Sequence, residues 1–367
     1  MQTYLVGGAV RDQLLGLEAK DKDWVVVGTT PSDLKNLGYK QIFANFPVFL
    51  HPKTNEEYAL ARTECKVDKG YHGFDVCFDS SITLQEDLKR RDLTINSIAK
   101  DQDGKIIDPF DGQKDLLNRI LRHTSQSFKE DPLRVIRLAR FMAQLHFFDF
   151  CIADETKLLA KEILKTGELD HLTKERINIE FKKALDYPNV FFDTLNSLDC
   201  LKTVFPTINE HLEKIPNESF FNHDIYKTTP TKEKIALMFY KLNSAQLDLI
   251  KDEINLSKNH HNLATAISEI HQLTTKTYTA EAILHTLRKT NILRDKNLFE
   301  KSFTLYSKLA TILDRKNLFK ELANLELTII SIQTIDVKAL TKYTPNNSLG
   351  KTITKLYTDT INKLLKI

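Results

Sequence analysis

Asp21-Lys22-Asp23-Trp24-Val25-Val26-Val27 reads as the entrance to a buried β-strand: two acids one residue apart, then an aromatic and three β-branched residues. In an extended chain alternate side chains share a face, so Asp21 and Asp23 project together while Lys22 points away. Two carboxylates on one spot repel, share a proton or hold a hard cation such as Mg²⁺, and the last is favoured where phosphate also binds. Taken alone the pair reads as two solvated acids leading into a strand, so its surroundings must decide.

Upstream, the apolar Tyr4-Leu5-Val6 runs through Gly7-Gly8 into Ala9-Val10-Arg11-Asp12, the opening of a helix that ends near Gly16. A strand that turns through two glycines into a helix bares backbone N–H groups, and the missing side chains let a triphosphate approach them. Gly8 and Arg11 stand at that turn, Arg11 adding a cation for phosphate. Two glycines also mark an ordinary tight turn. The spacing is not the dinucleotide fingerprint, which needs a third glycine and a later acid.

Downstream, Glu57 in Glu57-Tyr58-Ala59-Leu60-Ala61-Arg62 is either a third carboxylate for the same cation or a surface acid beside Glu56. Lys89-Arg90-Arg91-Asp92-Leu93-Thr94-Ile95-Asn96 offers phosphate charge beside short groups suited to ribose hydroxyls, or else a solvated helix start capped by Asp87 or Asp92. Asp108-Pro109-Phe110-Asp111-Gly112 is a turn with an architectural role. Asp131-Pro132 opens a helix in which Arg134, Arg137 and Arg140 recur every third residue with no matching acids on the same stretch.

The 367 residues suit two or three units, and 41% hydrophobic with 28% charged residues is the make-up of an ordinary globular protein. No apolar run approaches the roughly 20 residues that cross a bilayer. The start, MQTYLVGGAVRD, reads as a strand and not a signal peptide, and a cytoplasmic protein is expected. Cys65, Cys77, Cys151 and Cys200 are scattered, which argues against zinc. A net charge of +3 does not by itself announce a nucleic-acid binder. The first third alternates short strands and helices; from about Ser127 apolar residues recur every three or four positions, predicting helices. The fold class is therefore α+β, a mixed α/β head followed by an all-α remainder. The glycine-containing stretch from Lys66 to Ser80 is expected to be a loop.

In this order, LVGGAVRDQLLG, KDKDWVVVG, RRDLTINS, DPFDGQKDL and EDPLRVIRLARF resemble the class II tRNA nucleotidyltransferases, the bacterial CCA-adding enzymes of the polymerase-beta superfamily. The likeness is dense from Met1 to about Leu172 and looser through LTKERINIEFKKAL towards Pro206. It implies a nucleotidyltransferase head (1–125), a helical neck (126–185), a body (186–300) and a tail (301–367) that hold tRNA. It further implies that Asp21 and Asp23 ligate Mg²⁺ and that Gly8, Arg11, Arg91, Arg137 and Arg140 contact the incoming CTP or ATP. Asp131 and Arg134 match the pair that reads the base edge.

Relatives with such an N-terminal half often carry an HD phosphohydrolase module, but the one His-Asp dipeptide in the C-terminal half, His223-Asp224, lacks the surrounding pattern. Phosphatase and phosphodiesterase activities are expected to be absent, and His260, His261, His271 and His285 to be surface or core histidines. The competing readings are a poly(A) polymerase or a CC-only or A-only enzyme, a non-catalytic RNA-binding protein on the same fold, and a small-molecule nucleotidyltransferase. The last leaves the long helical half unexplained. The pattern specifies no oligomeric state and no membrane partner.

Overall fold

A computed structural model describes residues 1–19, 21–43, 46–66, 74–275, 279–315, 317–337 and 346–365. They form two compact units, one of residues Met1–Ala184 and Val190–Val204, the other of Leu185–Asn189 and Phe205–Ile367.

The first unit opens on β1 (Gln2–Val6), α1 (Gly8–Leu14) and β2 (Asp23–Val27). These strands lie in a seven-stranded mixed sheet with β3 (Lys40–Gln41), β4 (Val48–Leu50), β5 (Glu57–Leu60), β8 (Ala99–Lys100) and β9 (Ile106–Ile107), in the order β3-β4-β5-β2-β1-β8-β9. Only β2 and β5 pair in parallel, with Asp23 opposite Glu57; the other contacts are antiparallel. Alternation along β2 divides the core. Val25 packs with Val6, Ala61, Leu88 and Ala99 on one face, and Val26 packs with Leu34, Phe49 and Leu60 on the other.

Helix α2 (Pro31–Asn36) starts on a reciprocal Thr30–Asp33 capping box with Pro31 in its first turn, and α3 (Leu84–Lys89) on a Thr83–Glu86 box. Thus Lys89 and Arg90 close a helix, whereas the sequence allowed them to begin one: Thr83, six residues earlier, supplies the cap. Of the stretch from Lys66 to Ser80 expected to be a loop, Phe74–Cys77 is instead strand β7, paired antiparallel with β6 (Thr63–Lys66); residues 67–73 lie outside the described residues.

The Asp108–Gly112 turn is built as the sequence suggests. Asp108 accepts the Gly112 and Gln113 N–H groups, each at 2.8 Å, and launches α4 (Gly112–Asn118). A Cβ on Gly112 would lie 2.3 Å from the Thr94 carbonyl oxygen, so only glycine permits this approach. The short pair β10 (Ile120–Leu121) and β11 (Cys151–Ile152) brackets α5 (Leu133–Gln144), which is buried on most sides. Then follow α6 (Asp154–Lys165), α7 (Lys174–Lys183) and α8 (Pro188–Ser197). Phe181 of α7 packs against Phe191 and Phe192 of α8.

The described part of the second unit is helical, from Pro206–Glu210 to Asn346–Leu365. The Leu185–Asn189 segment is fastened into it: Tyr226 donates its hydroxyl to the Leu185 carbonyl at 2.7 Å, and buried Lys234 pairs with Asp186 at 2.5 Å. His271 is half-buried, edge-on to Tyr240 and hydrogen-bonded with the Tyr306 hydroxyl. Burial, with Arg315 and Lys241 adding to it, pushes its pKa down to about 4. His223 caps the helix Asp224–Thr228, its Nδ1 accepting from the Ile225 N–H, so the single His-Asp dipeptide of this half opens a helix. No described helix is long and apolar enough to cross a membrane.

Candidate active site

The sequence puts both acids on one strand face, but β2 begins only at Asp23, and Asp21 sits in the bend before it. Lys22 turns to the opposite face, where it meets Glu56 at 3.7 Å; Glu56 also accepts from the Trp24 indole at 2.9 Å. Asp21 and Asp23 stay together on the other side, both solvent-accessible. Partial burial raises the Asp23 pKa above the usual carboxylate range; Arg91 pulls it back, Asp21 raises it further, and Lys183 lowers it. Among the described residues neither acid forms an ion pair or accepts a hydrogen bond.

Above the pair, Gly7 adopts φ 71° and precedes α1, and a Cβ on it would lie 3.1 Å from Arg91 Nη1. Arg91 is anchored at its other nitrogens by the buried Asp87, at 3.2–3.3 Å. Burial would raise the Asp87 carboxyl, but Arg90 and Arg91 outweigh it and hold it below the usual range. The structure therefore brings Asp21, Asp23, the Gly7-Gly8 turn and Arg91 to one place. Glu57 pairs with Asp23 in register and is exposed, yet no group of three acids, histidines or cysteines among the described residues gathers closely enough to hold a metal.

The other arginines singled out in the sequence are engaged within the protein. Arg11 is buried, donating to Asp12 at 2.8 Å and to Asn96 at 2.9 Å. Arg137 grips Asp92 through Nε at 2.8 Å and Nη2 at 2.6 Å, with Glu180 3.6 Å from its Nη1. Arg140 pairs with Glu180 and donates to Gln144 at 2.5 Å. All three guanidiniums lie against the ring of Phe141. Burial disfavours the Arg137 cation but Asp92 and Glu180 reverse that and raise its pKa. For Arg140 burial prevails over Glu180, and the pKa falls.

The acids that match these arginines come from outside α5, Asp92 lying 45 residues away and Glu180 40. Local spacing carries no signal of either pairing. Likewise Thr94 and Asn96, read as ribose-binding groups, are buried: Thr94 donates to Asp115 at 2.7 Å, and Asn96 donates to Asp92 at 3.1 Å. Asp131 accepts from the Leu133 N–H at 3.1 Å and pairs with Arg176 at 2.7 Å. Arg134 is buried and donates to the Ser127 and Arg90 carbonyls, each at 2.6 Å.

A family model described as the poly A polymerase head domain matches residues 3–122, the span that contains the sheet, the glycine turn and the acidic pair. That match and a full-length relative place the chain among the nucleotidyltransferases. A CCA-adding enzyme of Francisella tularensis subsp. novicida is 53% identical over 371 residues, covering the whole of both chains, and this chain belongs to the CCA-adding enzyme family. A multifunctional CCA protein of Haemophilus influenzae is 56% identical over 219 residues, 59% of this chain and 52% of that one. Among solved structures, the Bacillus stearothermophilus CCA-adding enzyme in complex with CTP aligns at TM-score 0.66 and 21% identity, covering 98% of this chain and 89% of that one. The Thermotoga maritima CCA-adding enzyme complexed with tRNA aligns at TM-score 0.61 and 21% identity, covering 100% and 91%. These last two likenesses speak to the fold.

Enzymes of this family use a divalent metal. The residues present fit one: buried Asp87, Asp92 and Glu180 each have an arginine partner, while Asp21 and Asp23 lie close together with no ion-pair or hydrogen-bond partner among the described residues.

Proposed function

We propose that this chain builds and repairs the 3′-terminal CCA of tRNA from CTP and ATP, without a nucleic-acid template and with release of pyrophosphate. The observation that carries the reading is 53% identity to a CCA-adding enzyme along the whole chain; the acidic pair beneath a glycine turn supplies chemistry that suits it. Asp21 and Asp23 would hold Mg²⁺, which when bound neutralises triphosphate charge and makes the tRNA 3′-hydroxyl a better nucleophile. Arg91, steadied by Asp87, presents Nη1 at the Gly7-Gly8 turn for the phosphates, and Gly8 keeps the approach open. Arg11, Arg137 and Arg140 contact the incoming nucleotide, Arg137, 32% exposed, from its open side. No protein nucleophile is required.

Asp131 and Arg134 read the base. Cytosine and adenine both present an exocyclic amine beside a ring-nitrogen acceptor, so one carboxylate and one guanidinium serve both; uracil and guanine put a carbonyl where the amine should be. Residues 1–125 then form the transferring head, 126–185 the neck that recognises the base, and 186–300 with 301–367 the body and tail that grip tRNA, all working in the cytoplasm. The test is a product ladder at single-nucleotide resolution on tRNA lacking its last three nucleotides, with CTP, ATP, UTP and GTP supplied singly and together. C, C and A in order support the proposal. Runs of adenosine would make the chain a poly(A) polymerase, and a ladder that stops at CC or adds only A would make it a partial-addition enzyme.

A further inference from the structure

Asp131 lies in extended backbone just ahead of Pro132, the N-cap of α5, and Arg134 is the second residue of that helix. Three residues apart in sequence, the two bond to other groups. Asp131 Oδ1 takes the Leu133 N–H and its Oδ2 takes the Arg176 guanidinium of α7, while Arg134 reaches back to the Ser127 and Arg90 carbonyls. From this arrangement we infer that Arg176 is a specificity-determining positioning residue: by holding Asp131 at a second point it fixes the carboxylate and keeps it from collapsing onto Arg134. The inference rests on the base-reading role proposed for that pair.

The physical case has three parts. A carboxylate turns broadly about its last torsion, and one backbone hydrogen bond to one oxygen does not stop that rotation; a donor on each oxygen does. An ionised carboxylate has about four acceptor sites, so the two donors leave sites open for an exocyclic amine. Arg176 and Asp131 are 22% and 20% exposed at the side chain, which places the pair at the edge of the protein and not sealed within it. Arg176 need not touch the nucleotide or the metal. Its loss frees Asp131 to rotate and to pair with Arg134, and either change weakens the distinction between an amine and a carbonyl on the base.

The experiment is single-nucleotide addition to tRNA lacking CCA by the full chain and by Arg176→Ala, Arg176→Gln and Arg176→Lys, with kcat and KM measured for CTP and UTP and, on tRNA ending in CC, for ATP and GTP. Arg176→Ala is expected to lower the CTP/UTP and ATP/GTP ratios of kcat/KM roughly tenfold, the worth of one charge-assisted hydrogen bond, chiefly by raising KM for CTP and ATP. Arg176→Lys, which keeps a donor and a charge, should recover part of the ratio. If Arg176→Ala does not fold, Arg176→Gln carries the same measurement. Ratios equal to those of the unaltered chain, even with all four rates reduced together, would show Arg176 to be merely structural and overturn the inference. If the unaltered chain itself fails to prefer C and A, the underlying reading falls instead, and the two failures are told apart.

Discussion

Replacing Asp92 by Asn tests the buried network that joins the head to α5. Asp92 takes two donors from Arg137, one from Asn96 and one from the Leu93 N–H at 2.9 Å. The substitution is nearly isosteric, so what it removes is charge and acceptor capacity; an amide NH₂ would face donors. Breaking one side of a buried ion pair costs about 3–5 kcal/mol. Arg137 keeps Glu180 at 3.6 Å and is a third exposed, so the lower end, about 3 kcal/mol, is expected. At about 2–4 °C per kcal/mol for a unit of this size, the first thermal transition should fall by roughly 6–12 °C at pH 7, measured by calorimetry. The pH dependence gives an independent check. Burial pushes the Asp92 carboxyl up, but Arg137 and Asn96 hold it well below the usual range. A carboxylate depressed on folding stabilises the fold above its unfolded pKa of about 4, and that contribution is lost as pH falls from there towards the folded value. The gap between the two proteins should thus be constant from pH 8 to 6 and shrink below about pH 4. A variant that melts within about 2 °C of the unaltered protein at pH 7 would refute the reasoning.

Changing Asp21 and Asp23 together to Ala should cut nucleotide addition at least roughly a thousandfold, the scale of removing a charge-stabilising group, with tRNA affinity largely kept in a filter-binding assay. Asp23→Asn should leave thermal stability in chelator unchanged or raised at pH 7, because a carboxyl whose pKa rises on folding opposes folding when charged; the difference should fade as pH drops and the native carboxyl takes up its proton. A fall in melting temperature at pH 7 would contradict this. Gly112→Ala, which drives a methyl group against the Thr94 carbonyl and Ile98, should destabilise the first unit by about 1–3 kcal/mol in urea denaturation.

Much of the first unit could be read locally because its signals are local. The strand that begins at Asp23 followed from its run of β-branched residues, and the Asp108–Gly112 turn from its own side chains. The helices from α5 to α8 followed from apolar spacing. What escaped the sequence was partnership at a distance. Three arginines recur on α5 without acids on their own helix, and Asp92 and Glu180 arrive from other elements to meet two of them. The basic cluster at Lys89–Arg91 was ambiguous for the same reason, since its anchor Asp87 is recognisable only once α3 is seen to begin at Thr83.

The backbone passes between the two units three times, after Ala184, Asn189 and Val204. No single cut of the gene leaves both units complete. Stopping after Ala184 strips Phe181 of Phe191 and Phe192, and starting at Phe205 deprives Tyr226 and Lys234 of the strap they hold. Separate expression of the two parts therefore calls for overlapping fragments or a stitched linker, and evolutionary exchange of the C-terminal part would have to carry Leu185–Asn189 with it.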